Sequence, residues 1–248
     1  MKTLAWYQND QLWTALSPFL FSSERIHHAS VETDQIVQLL DLKPGDLVLD
    51  MCCGQGRFAL ELARRGFQVT GVDRTAAFLE VATANAAAFK GHCEFVLDDA
   101  LHFCHPETYH AVINLFHSFG YHEQEDENKQ VLQNAYRSLM TGGTLLLDML
   151  SKDQILQTAR SPLRQQVGHL SLVGSRSFDA ANQRVEDRWT LSSGGQRSEF
   201  HTSARMYGAE ELSAILRSCG FNSVQVRGGL DGRPYAKHEG RLVVIARK

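Results

Sequence analysis

The central part of the chain alternates between short apolar runs and longer segments whose apolar residues repeat at helical spacing. The first run, Leu-Val-Leu at 47–49, is typical of a strand that is buried on both faces of a parallel sheet. A helix follows, in which apolar residues pair four positions apart, and Gly66 ends it. The same alternation predicts strands at 67–72, 93–97, 109–115 and 144–150, with helices at 75–91 and 124–140. Repeated strand–helix units indicate a parallel sheet with helices on both faces.

A different pattern begins at about residue 165. Apolar and polar residues alternate there in three segments separated by turn-forming residues, at 169–178, 183–192 and 196–206. This predicts an antiparallel three-stranded insertion over 165–206. A helix at 209–219 and strands at 222–227 and 241–247 follow, and the last strand completes the main sheet. We therefore expect one domain over 1–248, with an α/β fold: a Rossmann-like three-layer sandwich with a mostly parallel seven-stranded sheet and the small antiparallel β insertion.

The first 30 residues are rich in aromatic side chains and include Pro18. Because proline removes a helix hydrogen bond, we expect short helices here that are broken at Pro18 and lie on the larger body. A further helix is predicted at 31–41, and Lys43-Pro44-Gly45 ends it.

Composition narrows the class of protein. With 248 residues, 43% of them hydrophobic and 21% charged, the chain has enough apolar residues for a packed core. We expect a cytoplasmic protein without a membrane partner, since no apolar run approaches the ~20 residues of a membrane span and the start lacks a signal-peptide profile. Five cysteines, two of them adjacent at 52 and 53, suit a reducing compartment. The net charge of -3 disfavours a nucleic-acid partner.

Candidate chemistry lies in the segment from Val48 to Arg57 and in the acidic residues that follow later strands. Gly54 and Gly56 allow a tight turn at a helix N-terminus, where a ligand can approach the backbone. Asp73 ends the second strand, where a carboxylate can accept both hydroxyls of a ribose. Two cofactors are compatible with this arrangement, because Gly54, Gly56 and Ala59 also satisfy the dinucleotide fingerprint.

Asp50 disfavours NAD and favours a cofactor that contains a methionine moiety. In dinucleotide folds the first glycine follows the strand almost directly, whereas here the glycines come several residues later. A carboxylate at the strand end would lie unfavourably beside a pyrophosphate, but it suits the α-ammonium group of a methionine moiety.

These motifs resemble those of class I S-adenosylmethionine-dependent methyltransferases of the small-molecule type, often called methyltransferase domain 25. Asp50-x-Cys52-x-Gly54-x-Gly56 matches the D-x-G-x-G-x-G motif with Cys52 in place of the first glycine, and similar members read L-D-x-C-C-G-x-G-R. Asp73 matches the ribose-binding acid of the family, and Asp99-Ala100 matches the residues that read adenine. Further matches are the segment 114–121 (N-x-F-x-S-F-G-Y), Gly142-Gly143, and the segments 231–235 and 241–244.

The resemblance implies S-adenosylmethionine as cofactor and S-adenosylhomocysteine as product. The implied cofactor-binding residues are Asp50, Cys52, Gly54, Gly56, Asp73, Arg74, Asp98, Asp99, Ala100, Asn114 and Leu115. The catalytic candidates are His117, as general base or packed residue with equal weight, and Tyr121. The substrate-binding candidates are Tyr207, Tyr235, His122 and Arg205. No metal is expected, because His102, Cys104, His105 and Cys93 match no zinc-ligand spacing.

The expected reaction is methyl transfer to a small-molecule acceptor by proximity and alignment, with an amine favoured. An O-methyltransferase that uses His117 as base and a non-catalytic S-adenosylmethionine-binding regulatory protein are the alternatives. Residues 1–30 are expected to form a helical lid over the cofactor, with hydrophobic docking as the equal alternative. The insertion is expected to shape the acceptor pocket or a homodimer contact.

Overall fold

The computed structural model describes residues 4–89, 92–158, 162–236 and 240–248. The described helices are α1 (Asp10–Leu20), α2 (Ser23–Leu40), α3 (Arg57–Arg64), α4 (Ala76–Ala86), α5 (Glu125–Ser138), α6 (Lys152–Thr158) and α7 (Ala209–Ser218). The described strands are β1 (Leu47–Met51), β2 (Gln68–Asp73), β3 (Cys93–Leu97), β4 (Tyr109–Asn114), β5 (Leu139–Leu150), β6 (Leu163–Val167), β7 (Leu170–Asp179), β8 (Arg184–Ser193), β9 (Gln196–Arg205), β10 (Ser223–Arg227) and β11 (Arg241–Arg247).

Seven strands form the main sheet in the order β10-β11-β5-β4-β1-β2-β3. The five strands from β5 to β3 run parallel, while β11 is antiparallel to both of its neighbours. The predicted fold class is confirmed. The strand order reverses between β1 and β4, and open sheets of this kind bind ligands beyond the carboxyl ends of the strands at such a point.

The core lies on both faces of this sheet, because successive strand residues point to opposite sides. On one face, Leu49 of β1 packs in a cluster with apolar residues of α5 and α7. On the other face, Val48 packs in a second cluster with residues of α2 and α3. Both residues are fully buried, and this arrangement gives the three layers that the alternation of strands and helices predicts.

The insertion contains four strands, in the order β6-β7-β8-β9, so the expectation of three was wrong. The additional strand, β6, reads Leu-Arg-Gln-Gln-Val and lies at the edge of the sheet, where one backbone edge and most side chains face solvent. Such a strand needs no alternating apolar residues, and its sequence therefore carries no strand pattern. The apolar residues Leu12, Leu16 and Phe19 of α1 pack against Leu172 of this sheet.

The N-terminal helices differ from the prediction. Pro18 lies inside α1 rather than breaking it, and the amide of Phe21 still donates to the carbonyl of Ser17 over 2.9 Å. Proline has no amide proton, so Pro18 removes one internal hydrogen bond, and the helix continues through its last turn. Helix α2 begins at Ser23, eight residues before the predicted start, because its first turns are polar and show no apolar stripe.

Other boundaries shift by smaller amounts. Helix α4 ends at Ala86, and its predicted end, Gly91, lies outside the described residues. Strand β5 begins at Leu139 rather than 144, and Gly142 and Gly143 lie inside it. These two glycines are therefore part of the strand and not the end of α5.

Candidate active site

The turn between β1 and α3 has an unusual backbone. Cys52, Gly54 and Gly56 all have positive φ, at 65°, 57° and 74°. A left-handed conformation costs a residue other than glycine about 1 kcal/mol or more, which explains why related motifs carry glycine where this chain has Cys52. A Cβ atom on Gly54 would lie 2.6 Å from Cζ of Phe21, and one on Gly56 would lie 2.7 Å from Cζ of Phe95. Both glycines are thus required by backbone conformation and by close packing.

Carboxylates lie at or just beyond the carboxyl ends of β1, β2 and β3. Asp50 is 2% exposed, and its Oδ2 atom has no hydrogen-bond partner among the described residues. Burial raises the pKa of Asp50 to about 7, against the opposing effect of the Arg57 guanidinium. Asp73 accepts the amide of Gly54 at Oδ2 and that of Thr75 at Oδ1, both over 2.8 Å. Burial raises the pKa of Asp73, while these two amides act in the opposite direction.

These carboxylates border one cavity, which encloses about 1140 Å³ including its opening to solvent. The cavity brings together most of the predicted cofactor-binding residues: Asp50, Cys52, Gly54, Asp73, Arg74, Asp98, Asp99, Ala100 and Leu115. Gly56 and Asn114 do not line it. Asn114 instead supports the wall, because its amide nitrogen donates to the carbonyls of Met51 and Ser118, over 3.2 and 3.3 Å.

Aromatic residues of the N-terminal segment contribute to the wall of the cavity. Tyr7 and Trp13 line it together with Tyr121 and His122. The Tyr7 hydroxyl lies 3.0 Å from Nδ1 of His122, and the Trp13 indole donates to the Tyr7 carbonyl over 2.8 Å. Arg74 donates to the same carbonyl over 2.9 Å. The N-terminal segment is therefore tied to both β2 and the loop after β4.

The two predicted catalytic residues have different surroundings. Tyr121 lines the cavity, and burial raises the pKa of its hydroxyl. His117 does not line it. The His117 Nδ1 atom accepts the amide of Leu150 over 3.4 Å, and Nε2 is buried without a partner among the described residues. Burial lowers the pKa of His117 to about 4, so that its ring is neutral at pH 7.

Of the predicted substrate-binding residues, His122 lines the cavity and the other three do not. Tyr207 is fully buried in the core, with its hydroxyl donating to Glu125 over 3.0 Å. Arg205 lies over the Tyr207 ring and pairs with Glu211. Arg205 is the last residue of β9 and Tyr207 follows it closely, and neither side chain lines the cavity.

Tyr235 also lies away from the cavity. Its hydroxyl is 3.2 Å from Oγ of Ser151 and donates to Asp153 over 3.0 Å. Tyr235 therefore contacts Ser151 and the start of α6, and it is not among the described residues that line the cavity.

The wall also contains residues that the sequence reasoning did not assign to the site, among them Phe21, Arg57 and Phe78. Arg57 has a sequence signal, since it directly follows Gly56 in the motif. Its guanidinium carbon lies 4.7 Å from the ring centroid of Phe116, and that of Arg25 lies 4.5 Å from the same centroid. Nothing in the sequence connects Arg25 to this site, because the contact depends on how α2 packs.

A partly buried ion-pair network holds the loop after β4. Asp148, 3% exposed, accepts two hydrogen bonds from Arg241, over 2.8 and 2.6 Å, and one from the amide of Phe116, over 3.1 Å. Glu32 accepts a third bond from Arg241 over 2.8 Å. Phe116 and His117 are consecutive residues with positive φ, 62° and 61°, and this network fixes that uncommon backbone conformation.

Two further observations concern only the described residues. No three His, Cys, Asp or Glu side chains are grouped in a way that could hold a metal ion. None of the helices in the described ranges combines the length and apolar character needed to cross a membrane.

Comparison with known proteins assigns the family. The sequence profile described as "Methyltransferase domain" matches residues 48–143. A protein of Geobacillus sp. (strain WCH70), named as a methyltransferase, is 34% identical over 209 residues, which cover 81% of this chain and 84% of that protein. The chain belongs to the methyltransferase family. The predicted membership of the class I S-adenosylmethionine-dependent enzymes is confirmed.

Other relatives match this methyltransferase over a shorter segment. The 23S rRNA (uracil(1939)-C(5))-methyltransferase RlmD of Cronobacter sakazakii (strain ATCC BAA-894) is 36% identical over 85 residues, 34% of this chain. Those residues are 19% of RlmD, so the match covers about a third of this chain and about a fifth of that enzyme.

Two solved structures share the fold of this methyltransferase. An S-adenosylmethionine-dependent methyltransferase from Clostridium acetobutylicum ATCC 824 has a TM-score of 0.79 at 14% identity, covering 96% of this chain and 98% of that chain. The sugar N-methyltransferase KedS8 from Streptoalloteichus sp ATCC 53650 has a TM-score of 0.66 at 19% identity, covering 88% of this chain and 87% of that chain.

Proposed function

We propose that this methyltransferase transfers a methyl group from S-adenosylmethionine to a small-molecule acceptor, with an amine nitrogen favoured. The observation that carries the proposal is the meeting of Asp50, Asp73 and Asp99 in one cavity that Tyr7 and Trp13 also line. A carboxylate at the end of each of three adjacent strands matches the ammonium, ribose and adenine of a nucleoside that is joined through sulfur to an amino acid.

The residues present fit this cofactor. The unpartnered Oδ2 atom of Asp50 is a ready acceptor for the ammonium group, since a buried polar atom otherwise remains unsatisfied. Each oxygen of Asp73 accepts one backbone amide and keeps a further lone pair for a ribose hydroxyl. Asp99, Ala100 and Leu115 would flank the adenine. When bound, the sulfonium supplies an electrophilic methyl group.

The protein's own contribution is to orient the acceptor and to exclude water. The apolar residues Leu115 and Phe119 and the ring of Tyr121 line the part of the cavity that follows β4, and Tyr7 and Trp13 cover it. Alignment of this kind accelerates transfer to a nucleophile that needs no activation. Among the polar side chains of the lining, His122 is held at Nδ1 by Tyr7, and burial lowers its pKa.

Two considerations support a small amine acceptor. The cover formed by Tyr7 and Trp13 suits a molecule small enough to be enclosed, and a polymeric acceptor would have to displace it. The solved structure KedS8 is named as an N-methyltransferase, which supports nitrogen as the acceptor atom. An O-methyltransferase with His117 as base receives less support, since His117 does not line the cavity.

A turnover panel tests this proposal. The protein is incubated with S-adenosylmethionine and matched primary amines, amino sugars and their hydroxyl analogues, and S-adenosylhomocysteine release is measured. We expect release of S-adenosylhomocysteine above background with amines. This release should be lost in Asp73→Ala and kept in Asp41→Ala, the control at an exposed site. Turnover only with hydroxyl acceptors would favour the O-methyltransferase alternative. Binding without any turnover would favour the regulatory alternative.

A further inference from the structure

Arg184 is a buried arginine whose hydrogen bonds within the described residues all go to uncharged oxygen atoms. It is the first residue of β8 and is 9% exposed. Burial lowers the pKa of its guanidinium group, against the opposing effect of the Glu186 and Glu123 carboxylates. A buried charge is costly unless its hydrogen bonds are made, so the acceptors of Arg184 show what this side chain holds.

Two of these acceptors belong to the loop after β4. Nη1 of Arg184 donates to the carbonyl of His122 over 2.9 Å, and Nη2 donates to that of Tyr121 over 3.1 Å. Both loop residues line the cavity, whereas Arg184 does not. The insertion therefore acts on the cavity wall through the backbone of residues that lie 62 and 63 positions earlier in the chain.

Other hydrogen bonds hold the same loop. Oδ1 of Asn128 accepts the amide of His122 over 3.3 Å, and its Nδ2 atom donates to the His122 carbonyl over 3.1 Å. With the bond from Arg184, that carbonyl accepts two hydrogen bonds, one for each of its lone pairs. At the end of β9, the amide of Arg205 donates to the carbonyl of Gly120 over 2.7 Å. Residues 120–122 are thus held from α5 and from the insertion.

Ser203 of β9 orients the guanidinium group. Its Oγ atom accepts Nε of Arg184 over 2.6 Å and donates to Glu186 over 2.6 Å, and its carbonyl accepts Nη2 over 2.9 Å. All three nitrogen atoms of Arg184 are therefore engaged, and the planar group joins β9 to the loop after β4. An apolar side chain would be less costly to bury, but it would not set the direction of two carbonyl groups.

We propose that Arg184 is a positioning residue through which the insertion sets the acceptor side of the cavity. By holding the carbonyls of Tyr121 and His122, it fixes the directions in which their side chains meet an acceptor, and so the alignment of that acceptor with the methyl group. The carboxylate of Asp73 is held by backbone amides of its own, so binding of the methyl donor does not depend on Arg184. This inference rests on the proposed function, because it concerns the same cavity.

Steady-state kinetics with matched variants test this role. Arg184→Met removes the guanidinium group, and Arg184→Lys keeps the charge without the planar group. Arg188→Met is the control, because Arg188 lies on the same face of β8 and is exposed. The acceptor is the amine that the wild type methylates fastest in the turnover panel.

The expected result is a split between donor binding and turnover. In calorimetry, Arg184→Met should bind S-adenosylhomocysteine with unchanged affinity. Its kcat/KM for the amine should fall about tenfold to a hundredfold, because a small misplacement of the wall disturbs the alignment of the acceptor. Arg184→Lys should recover part of this loss, since an ammonium group can still donate to one carbonyl. Arg188→Met should match the wild type.

A second measurement needs no acceptor and separates positioning from a general loss of stability. The imidazole NMR signal of His122, assigned by its absence in His122→Asn, is compared among the variants at a temperature at which they are folded. We expect this signal to shift in Arg184→Met and to stay in place in Arg188→Met. Ser203→Ala, a milder change to the same hydrogen bonds, should give a smaller shift and replaces Arg184→Met if that variant does not fold.

The outcomes distinguish this inference from the proposed function. If folded Arg184→Met keeps the kcat/KM of the wild type, or leaves the His122 signal in place, the positioning role is refuted while the proposed function stands. A matching loss of affinity for S-adenosylhomocysteine would also refute it, because Arg184 would then act on the whole cavity. If the wild type methylates no amine, the proposed function itself fails, and this inference fails with it.

Discussion

The amide of Gly54 donates a hydrogen bond to Oδ2 of Asp73 over 2.8 Å. This bond joins the turn after β1 to the end of β2, and it aims one carboxylate oxygen at the backbone while Thr75 holds the other. The orientation of Asp73 towards the cavity thus depends on the left-handed conformation of Gly54. The same turn is closed from outside by Phe21, which lies against Gly54.

Replacing Gly54 by alanine should therefore destabilise the protein. The added Cβ would lie 2.6 Å from Phe21 at a φ of 57°, so we expect more than the about 1–2 kcal/mol that a left-handed alanine costs. Gly168→Ala is the matched control, since Gly168 has the same φ and a Cβ added there would meet no atom of the described residues within 4 Å. Urea denaturation gives both values, and Phe21→Leu should recover part of the Gly54→Ala loss. Equal losses at positions 54 and 168 would contradict the contact with Phe21.

The pKa of Asp50 predicts a pH dependence of stability. Its value rises from 3.8 to about 7 on folding, so the native state holds a proton between those pH values that the unfolded state releases. Stability contributed by protonated Asp50 is thus lost as pH rises from about 4 to 7, by roughly 1.4 kcal/mol per pH unit. Asp50→Asn should lack this decline. If the free energies of unfolding of wild type and Asp50→Asn change in parallel over this pH range, the result would contradict a buried, unpaired carboxylate at Asp50.

His117 should show the opposite dependence. Its pKa falls from 6.5 to about 4 on folding, so the unfolded state binds the extra proton and the stability of the native state rises as pH increases from about 4 to 6.5. His117→Asn removes this slope, and asparagine tolerates the positive φ of this position. Once an acceptor is known, we expect the variant to keep its turnover, because His117 does not line the cavity. Loss of turnover in a fully folded variant would restore His117 as a base.

Replacing Arg241, which pairs with the buried Asp148, should lower the free energy of unfolding more than replacing a surface arginine. Arg241→Met leaves Asp148, 3% exposed, without its bidentate partner, and a loss of about 3 kcal/mol is expected. Adding Asp148→Asn to the same chain should recover much of that loss. For comparison, Arg64→Met removes an exposed arginine side chain that pairs with the less exposed Glu61 over 3.4 Å, and it should cost less than about 1 kcal/mol. Similar losses from both single variants, measured by urea denaturation, would contradict the role of Asp148 in holding Phe116.

The apolar pattern predicts the main sheet well because its central strands are buried on both faces. β3 and β11 have their predicted bounds, and the acidic residues after β1, β2 and β3 meet because parallel strands present their carboxyl ends at one edge. The apolar pattern does not predict strand β6, because a solvated edge strand needs no alternation of apolar residues. Two features depend on packing between segments that are far apart in sequence: the contact of Arg25 with Phe116 and the burial of Tyr207 in the core. Local sequence patterns do not predict such contacts.

Binding of S-adenosylhomocysteine is the measurement that tests the account most directly. Isothermal titration of the wild-type protein with S-adenosylhomocysteine and, separately, with NAD compares the two cofactors that the glycine motif allows. We expect binding of S-adenosylhomocysteine, none of NAD, and loss of the former in Asp73→Ala while Asp41→Ala retains it. Tight binding of NAD with no affinity for S-adenosylhomocysteine, or unchanged affinity in a folded Asp73→Ala variant, would contradict the assignment of this cavity to the methyl donor.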